Sequence, residues 1–198
     1  MRPRRPALIW VGGALLPVAL ALAVMAWGPS PHLEEIVDIR VPGDPGSQWR
    51  LHVAIPEEVL AGGHVRASLR LEALSPAPRA PRAALVARLV GPGLRVKPSG
   101  DQVSPLANDA RFSWTVFTGG DGSFRLSPSL ALRSNSQQGA AEAATVVWAK
   151  VFDLEVRSPL GLTEPALRLS SASFAALGVS LLAAWWWERR RWSSLPQD

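Results

Sequence analysis
His64-Val65-Arg66-Ala67-Ser68-Leu69-Arg70-Leu71-Glu72-Ala73 decides the fold class. Val65, Ala67, Leu69, Leu71 and Ala73 share one phase, and His64, Arg66, Ser68, Arg70 and Glu72 the other. A period of two puts the sets on opposite faces of a half-buried strand. Upstream, Trp49, Leu51, Val53 and Ile55 alternate with Arg50, His52 and Ala54. Downstream, Phe112, Trp114 and Val116 share a face, and Gly119-Gly120-Asp121-Gly122 turns the chain into Phe124, Leu126 and Leu130. Val146, Trp148, Phe152, Leu154 and Val156 form a last strand, with Lys150 breaking the pattern as at a bulge. Weaker strands are expected near 34–41, 83–90 and 94–97, and a short helical turn at Pro56-Glu57-Glu58-Val59-Leu60. Short strands with Pro/Gly-rich connections predict an all-β, immunoglobulin-like antiparallel β-sandwich over residues 28–164.

The sandwich is flanked by two apolar runs. Ala7 to Trp27 carries no charge; at about 1.5 Å per residue it spans the roughly 30 Å of a hydrocarbon core. Pro17 lies mid-run, and Gly12-Gly13 eases close packing against a neighbour. The competing reading is a cleaved signal peptide, with Ala21-Leu22-Ala23 as its small-residue site. Such a peptide has an apolar region of about 7–15 residues, so the longer run fits an uncleaved anchor better. The second run, Leu169 to Trp187 within a span at 165–187, ends in Trp185-Trp186-Trp187 and Glu188-Arg189-Arg190-Arg191. Its small residues, among them Ser171, Ala172, Ala175, Ala176 and Gly178, permit close helix contact. Trp10, Trp27 and the Trp185–Trp187 cluster are interfacial anchors, and Arg168 snorkels to headgroups.

Charge orients these runs. The chain has 21 basic and 16 acidic side chains, a formal net charge of +5. Residues 28–164 hold 14 of each sign, so the excess sits at the ends: Arg4 and Arg5 within 1–6, Arg189, Arg190 and Arg191 within 188–198, and Arg168. By the positive-inside rule both termini face the cytoplasm and the sandwich lies outside, in the inner membrane of a bacterium. The 19 Arg against 2 Lys reflect nucleotide bias of a GC-rich genome rather than 19 selected sites. A neutral middle without interleaved basic and aromatic residues excludes nucleic acid as the partner.

Little chemistry is visible. The chain has no cysteine, which removes disulfides, thiolate metal sites and thiol nucleophiles. His32, His52 and His64 form no H-x-x-x-H or H-E-x-x-H pair, and no G-x-S-x-G elbow occurs. Glu34-Glu35 and Glu57-Glu58 point their members to opposite faces. Gly91-Pro92-Gly93 and Gly119–Gly122 lack the Lys-Ser/Thr of a phosphate loop. No catalytic, cofactor or metal residue is therefore expected. Trp49, Trp114 and Trp148 sit on alternating strands, where a sandwich core takes its aromatic residues; Trp49, which begins its strand, is the one best placed to meet a ligand or partner instead, with His52 and His64 on the polar phase. Ser75-Pro76-Ala77-Pro78-Arg79-Ala80-Pro81-Arg82 reads as a stiff crossover or a polyproline II segment, and Ser134 to Gly139 as a hairpin tip.

Phe112-Ser113-Trp114-Thr115-Val116, Gly119–Gly122, Phe124-Arg125-Leu126, Val146–Val156, Leu160-Gly161-Leu162 and Leu169–Arg191 form a sequence grammar. It resembles the membrane-proximal module of bacterial membrane-anchored Ig-like envelope proteins, distantly the BatD (oxygen-tolerance) group. The resemblance implies an envelope domain and no activity. The expectation is a non-enzymatic accessory or scaffold subunit whose partners are the bilayer and other envelope proteins. The alternative is a sensory ectodomain for glycan, lipid or peptide.

Overall fold
A computed structural model of the chain describes residues 6–28, 30–40, 48–74, 83–106, 108–134 and 144–193. Its contacts separate into two units: Ser30–Ser158, and the terminal helices with their flanks. The proline-rich segment 75–82 and the tip 135–139 lie outside the described residues.

The first unit is a two-sheet β-sandwich. One sheet contains β1 (His32–Arg40), β2 (Gln48–Pro56), β4 (His64–Ala73), β8 (Asp109–Phe117) and β6 (Arg95–Lys97), in the order β1-β2-β4-β8-β6. The other runs β3 (Glu58–Leu60), β11 (Phe152–Arg157), β9 (Gly122–Ser134), β5 (Ala83–Val90), β7 (Gln102–Pro105), with β10 (Ala144–Ala149) also on β9. Alternation delivers the core as read: Leu51, Val53, Ile55, Leu69, Leu71, Phe112, Trp114 and Val116 face Leu85, Leu126, Leu130, Leu154 and Val156, all buried. Apolar surface removed from water at both inner faces holds the sheets together.

Two local readings are corrected and a third, between core and contact for Trp49, is decided. Residues 58–60 form a strand rather than a helical turn, pairing in parallel with Glu155–Arg157, so the sandwich is not wholly antiparallel. The register shift on the last strand falls between Val146 and Trp148, not at Lys150. Ala149↔Ser129 and Phe152↔Leu126 share one register, which sets Lys150 opposite Pro128. Proline has no N–H, so the ladder loses a rung there, keeping the Lys150 N–H to Pro128 C=O bond at 3.3 Å. Finally, Trp49 is 0% exposed, because β2 begins at Gln48 and its inner face is roofed by the opposing sheet.

The chain starts and finishes the sandwich at one end. β1 opens at His32, opposite Pro56, and Glu57 N–H donates to Pro31 C=O at 3.0 Å. β11 closes at Arg157, opposite Leu60, with Ala61 N–H donating to Arg157 C=O at 2.9 Å. Thr118 is buried at this end and donates its hydroxyl to Leu60 C=O at 2.9 Å, clamping the β3–β4 turn to the end of β8.

The second unit is an antiparallel helix pair, α1 (Pro6–Trp27) and α2 (Glu164–Ser193). Both are long and apolar enough to cross a membrane. Most of their apolar surface points away from the partner helix: Val11, Val18, Leu20, Val24, Leu169, Leu177 and Val179 are exposed.

Truncating Trp49 to Ala should cost about 3–5 kcal/mol of unfolding free energy, as for a large ring removed from a packed core. Denaturant unfolding of the detergent-solubilised protein measures this; a neutral effect would contradict a core role.

Candidate functional site
Two surfaces carry the side chains singled out by sequence. On the helix pair, Gly12 and Gly178 meet reciprocally. A Cβ built on Gly12 would lie 3.5 Å from the Gly178 carbonyl, and one on Gly178 would lie 3.4 Å from the Gly12 carbonyl and 3.2 Å from a Leu16 methyl. Gly13 faces open space, so of the two adjacent glycines only Gly12 serves the contact. Ala19, Leu22, Ala26, Leu167 and Ser171 are buried in this unit. A shallow apolar groove beside them is lined by Leu16, Leu20, Ala23, Trp27, Ala172 and Ala175.

The aromatic anchors are exposed at the helix ends: Trp10 at 77%, Trp27 at 56%, Trp186 at 47% and Trp187 at 61%, with Trp185 half-buried. Arg168 sits 5.7 Å from the Trp27 ring centroid and pairs one turn back with Glu164. Its charge is thus shared between a ring face and a carboxylate. Arg190 lies 3.8 Å over the Trp186 ring. Arg189 and Arg191 belong to α2 by their backbone, and Arg4 and Arg5 lie outside the described residues.

The second surface is the outer face of the β1-β2-β4-β8-β6 sheet. Register sets Asp38, Arg50, Glu72 and Asp109 in one row, with His52, Arg70 and Arg111 in the next. Arg50 Nε donates to Asp38 at 3.0 Å, Arg70 Nε to Asp109 at 3.0 Å, and Arg111 Nη2 to Asp109 at 2.7 Å. Hydrogen bonds from Arg111, then Arg70, hold the Asp109 carboxyl below the usual carboxylate range. His52 Nε2 stands 3.7 Å from Glu72. His52 and His64 share this face but do not converge. His52 is opposite Arg70, and six residues of β4 separate Arg70 from His64, about 20 Å at strand rise.

Trp49, buried, presents no ring to a ligand, while His52 and His64 are surface side chains. Glu34 is exposed, whereas Glu35 on the inner phase of β1 pairs with Lys150 at 2.7 Å. That pair bridges the edges of the two sheets, and it explains why Lys150 interrupts an apolar alternation. At the other side, Gln102 of β7 donates to Ser113 C=O of β8 at 2.9 Å. Among the described residues no three His, Asp or Glu side chains form a metal-binding group.

Sequence reasoning missed Arg66, Arg95, Lys97 and Phe117, which come together from three strands. Arg66 and Lys97 flank Thr115, and His64 and Arg95 flank Phe117. Each short segment contributes two of these positions, so no local motif announces them.

No family model and no curated protein matches the chain. Similar solved structures include PapD-like domain 7 of human CEP192, 12% identical over 65% of this chain and 97% of that one, TM-score 0.34. The CARDB domain of the PF1109 protein from Pyrococcus furiosus is 8% identical over 66% of this chain and 100% of that one, TM-score 0.34. Escherichia coli alpha-2-macroglobulin is 15% identical over 65% of this chain and 17% of that one, TM-score 0.37. At these identities the likeness concerns the shape of a β-domain and extends to no activity.

Two outcomes are expected. Gly178→Leu should overpack the helix contact, at a cost of about 1–3 kcal/mol. The detergent-solubilised variant should then unfold at a lower temperature than the parent, as followed by helical circular dichroism. The second concerns pH. Because Asp109 is held below its unfolded value, its contribution is complete above about pH 4 and is lost as pH falls through the folded value. Asp109→Asn should therefore unfold at lower temperature than the parent at neutral pH, with the two midpoints converging once the pH has fallen below the folded value.

Proposed function
We propose that the chain is a non-enzymatic, two-span protein of the bacterial cytoplasmic membrane that presents its sandwich outside as an accessory or scaffold subunit of an envelope complex. The observation that carries this reading is the helix pair: two apolar helices, long enough to span, that leave most of their apolar surface outward-facing. A soluble core helix has the opposite disposition, with its apolar side covered. The cationic ends support a cytoplasmic location for both termini. A last strand, a short connection and a final apolar helix also support kinship with BatD-type membrane-proximal modules.

The mechanism is geometric. Four residues separate α1 from β1 and six separate β11 from α2, so the sandwich is held on two short tethers. Such confinement raises its effective concentration toward other membrane proteins and limits its orientations. The sensory alternative loses its main support with Trp49, whose ring is packed in the core.

The test is capture of C-terminally tagged, detergent-solubilised protein from cells. A stoichiometric envelope partner is expected, and a monodisperse lone protein would overturn the subunit role. In the same cells, protease added to spheroplasts should digest the sandwich and spare the tag. Digestion of the tag would overturn the topology.

A further inference from the structure
We infer that the end of the sandwich at which the chain enters and leaves carries a binding site for the phosphate of anionic lipid headgroups, formed by His64, Arg66, Arg95 and Lys97 around Thr115 and Phe117. This rests on the two-span reading above and specifies a surface that the reading leaves open.

Register builds the site. Arg66, Thr115 and Lys97 form one row across β4, β8 and β6, and His64, Phe117 and Arg95 form the next. All six lie on the outer phase of the sheet, since Val65 and Val116 between them are buried in the core. The Phe117 ring gathers the cations: His64 stacks on it at 5.8 Å, the Arg95 guanidinium lies 5.8 Å from its centroid and the Lys97 ammonium 5.7 Å. Ring–cation attraction keeps like charges together that would otherwise spread apart.

The contrast with the rest of the face is what marks this as a site. Arg50, Arg70 and Arg111 each hold a carboxylate, whereas among the described residues Arg66, Arg95 and Lys97 have none within ion-pair distance. The outer face of this sheet thus holds three cations without a carboxylate partner at one end, with the exposed Glu57 and Asp121 on neighbouring turns. That end contains Pro31, Leu60, Thr118 and Arg157, where the short tethers attach. Phosphate is the matching chemistry: guanidinium forks donate in pairs to its oxygens, lysine adds a point charge, and the Thr115 hydroxyl adds a donor. A half-buried phenyl ring amid cations also suits the interfacial zone of a bilayer.

The chain lacks cysteine, so single labels can be placed cleanly. Gly120, whose added Cβ meets nothing within 4 Å, would carry a donor fluorophore as Gly120→Cys, and Asn108→Cys would mark the opposite end. Full-length protein in nanodiscs bearing headgroup-labelled acceptor lipid would be compared in phosphatidylcholine alone and with added phosphatidylglycerol. Energy transfer from residue 120 should rise with phosphatidylglycerol and fall back with sodium chloride, while residue 108 shows no such rise. The triple variant Arg66→Gln, Arg95→Gln, Lys97→Gln should lose the rise with its circular dichroism unchanged, and Arg66→Lys with Arg95→Lys should retain it. Transfer that ignores phosphatidylglycerol in the parent, or a rise that survives in the triple variant, overturns the site. Reversal by inorganic phosphate, at an ionic strength where chloride leaves the rise intact, marks a free-anion site and overturns the lipid assignment. Protein that never enters the discs overturns the two-span reading and this site with it.

Discussion

A domain joined over four and six residues to two helices that pack against each other must return its chain to the end at which it began. The sandwich meets that constraint through β3, three residues that leave the sheet of β2 and pair in parallel with the last strand. Because β11 runs alongside β3 and antiparallel to β9, its final residue lands beside Leu60, close to where Pro31 meets Glu57. Thr118 fixes the arrangement with a side-chain bond from the end of β8 to Leu60. A threonine buried with its hydroxyl unpaired would pay desolvation for nothing; here the hydroxyl serves the carbonyls of Leu60 and Gly63.

An open sandwich has edges, and each lateral edge is managed by a polar contact between the sheets. Lys150 and Glu35 occupy inner-phase positions on β10's continuation and on β1, where an apolar pair would invite another strand to dock. Pointed at each other, they satisfy both charges and leave a poor template for strand addition. Gln102 bonding to Ser113 does the corresponding work between β7 and β8 with a neutral group. The cost is a partly desolvated ion pair, and the Phe152 ring, 5.3 Å from the Lys150 ammonium, offsets part of it.

What the sequence disclosed follows the range of the interactions involved. The strands at 49–55, 64–73, 112–116 and 124–130 are legible because half-burial imposes a period of two within each segment. β3 was not, since Pro56-Glu57-Glu58 satisfies the local preferences of a helical turn and only its distant partner β11 makes it a strand. β7 is only four residues long and turns Val103 to solvent, so its alternation does not mark a core face. Trp49 looked peripheral because it opens the visible pattern, yet Gln48 precedes it in the ladder and Ile39 and Ala73 flank it. Gly12 was legible as a small residue in a helix; that its counterpart is Gly178 depends on the crossing of α1 and α2.

Counting charges locates the cations at the ends of the chain and leaves their placement in its middle open, for one reason. At the termini like charges are adjacent in sequence, so counting residues also locates them. In the sandwich, sequence neighbours alternate between faces, and charges meet their partners across strands instead. Fourteen cations and fourteen anions can therefore be arranged as a uniformly paired surface or as a paired region beside an unpaired one, with an identical composition. The register selects the second arrangement: Asp38, Arg50, Glu72 and Asp109 fall in one row with Arg70 and Arg111 in the next, while the rows through Thr115 and Phe117 receive only basic or neutral side chains from β4, β8 and β6. Shifting β6 by one residue would bring Val96 to the outer face and turn both of its cations inward. The electrostatic character of that end is thus a property of strand pairing, held by the same rungs that hold the fold.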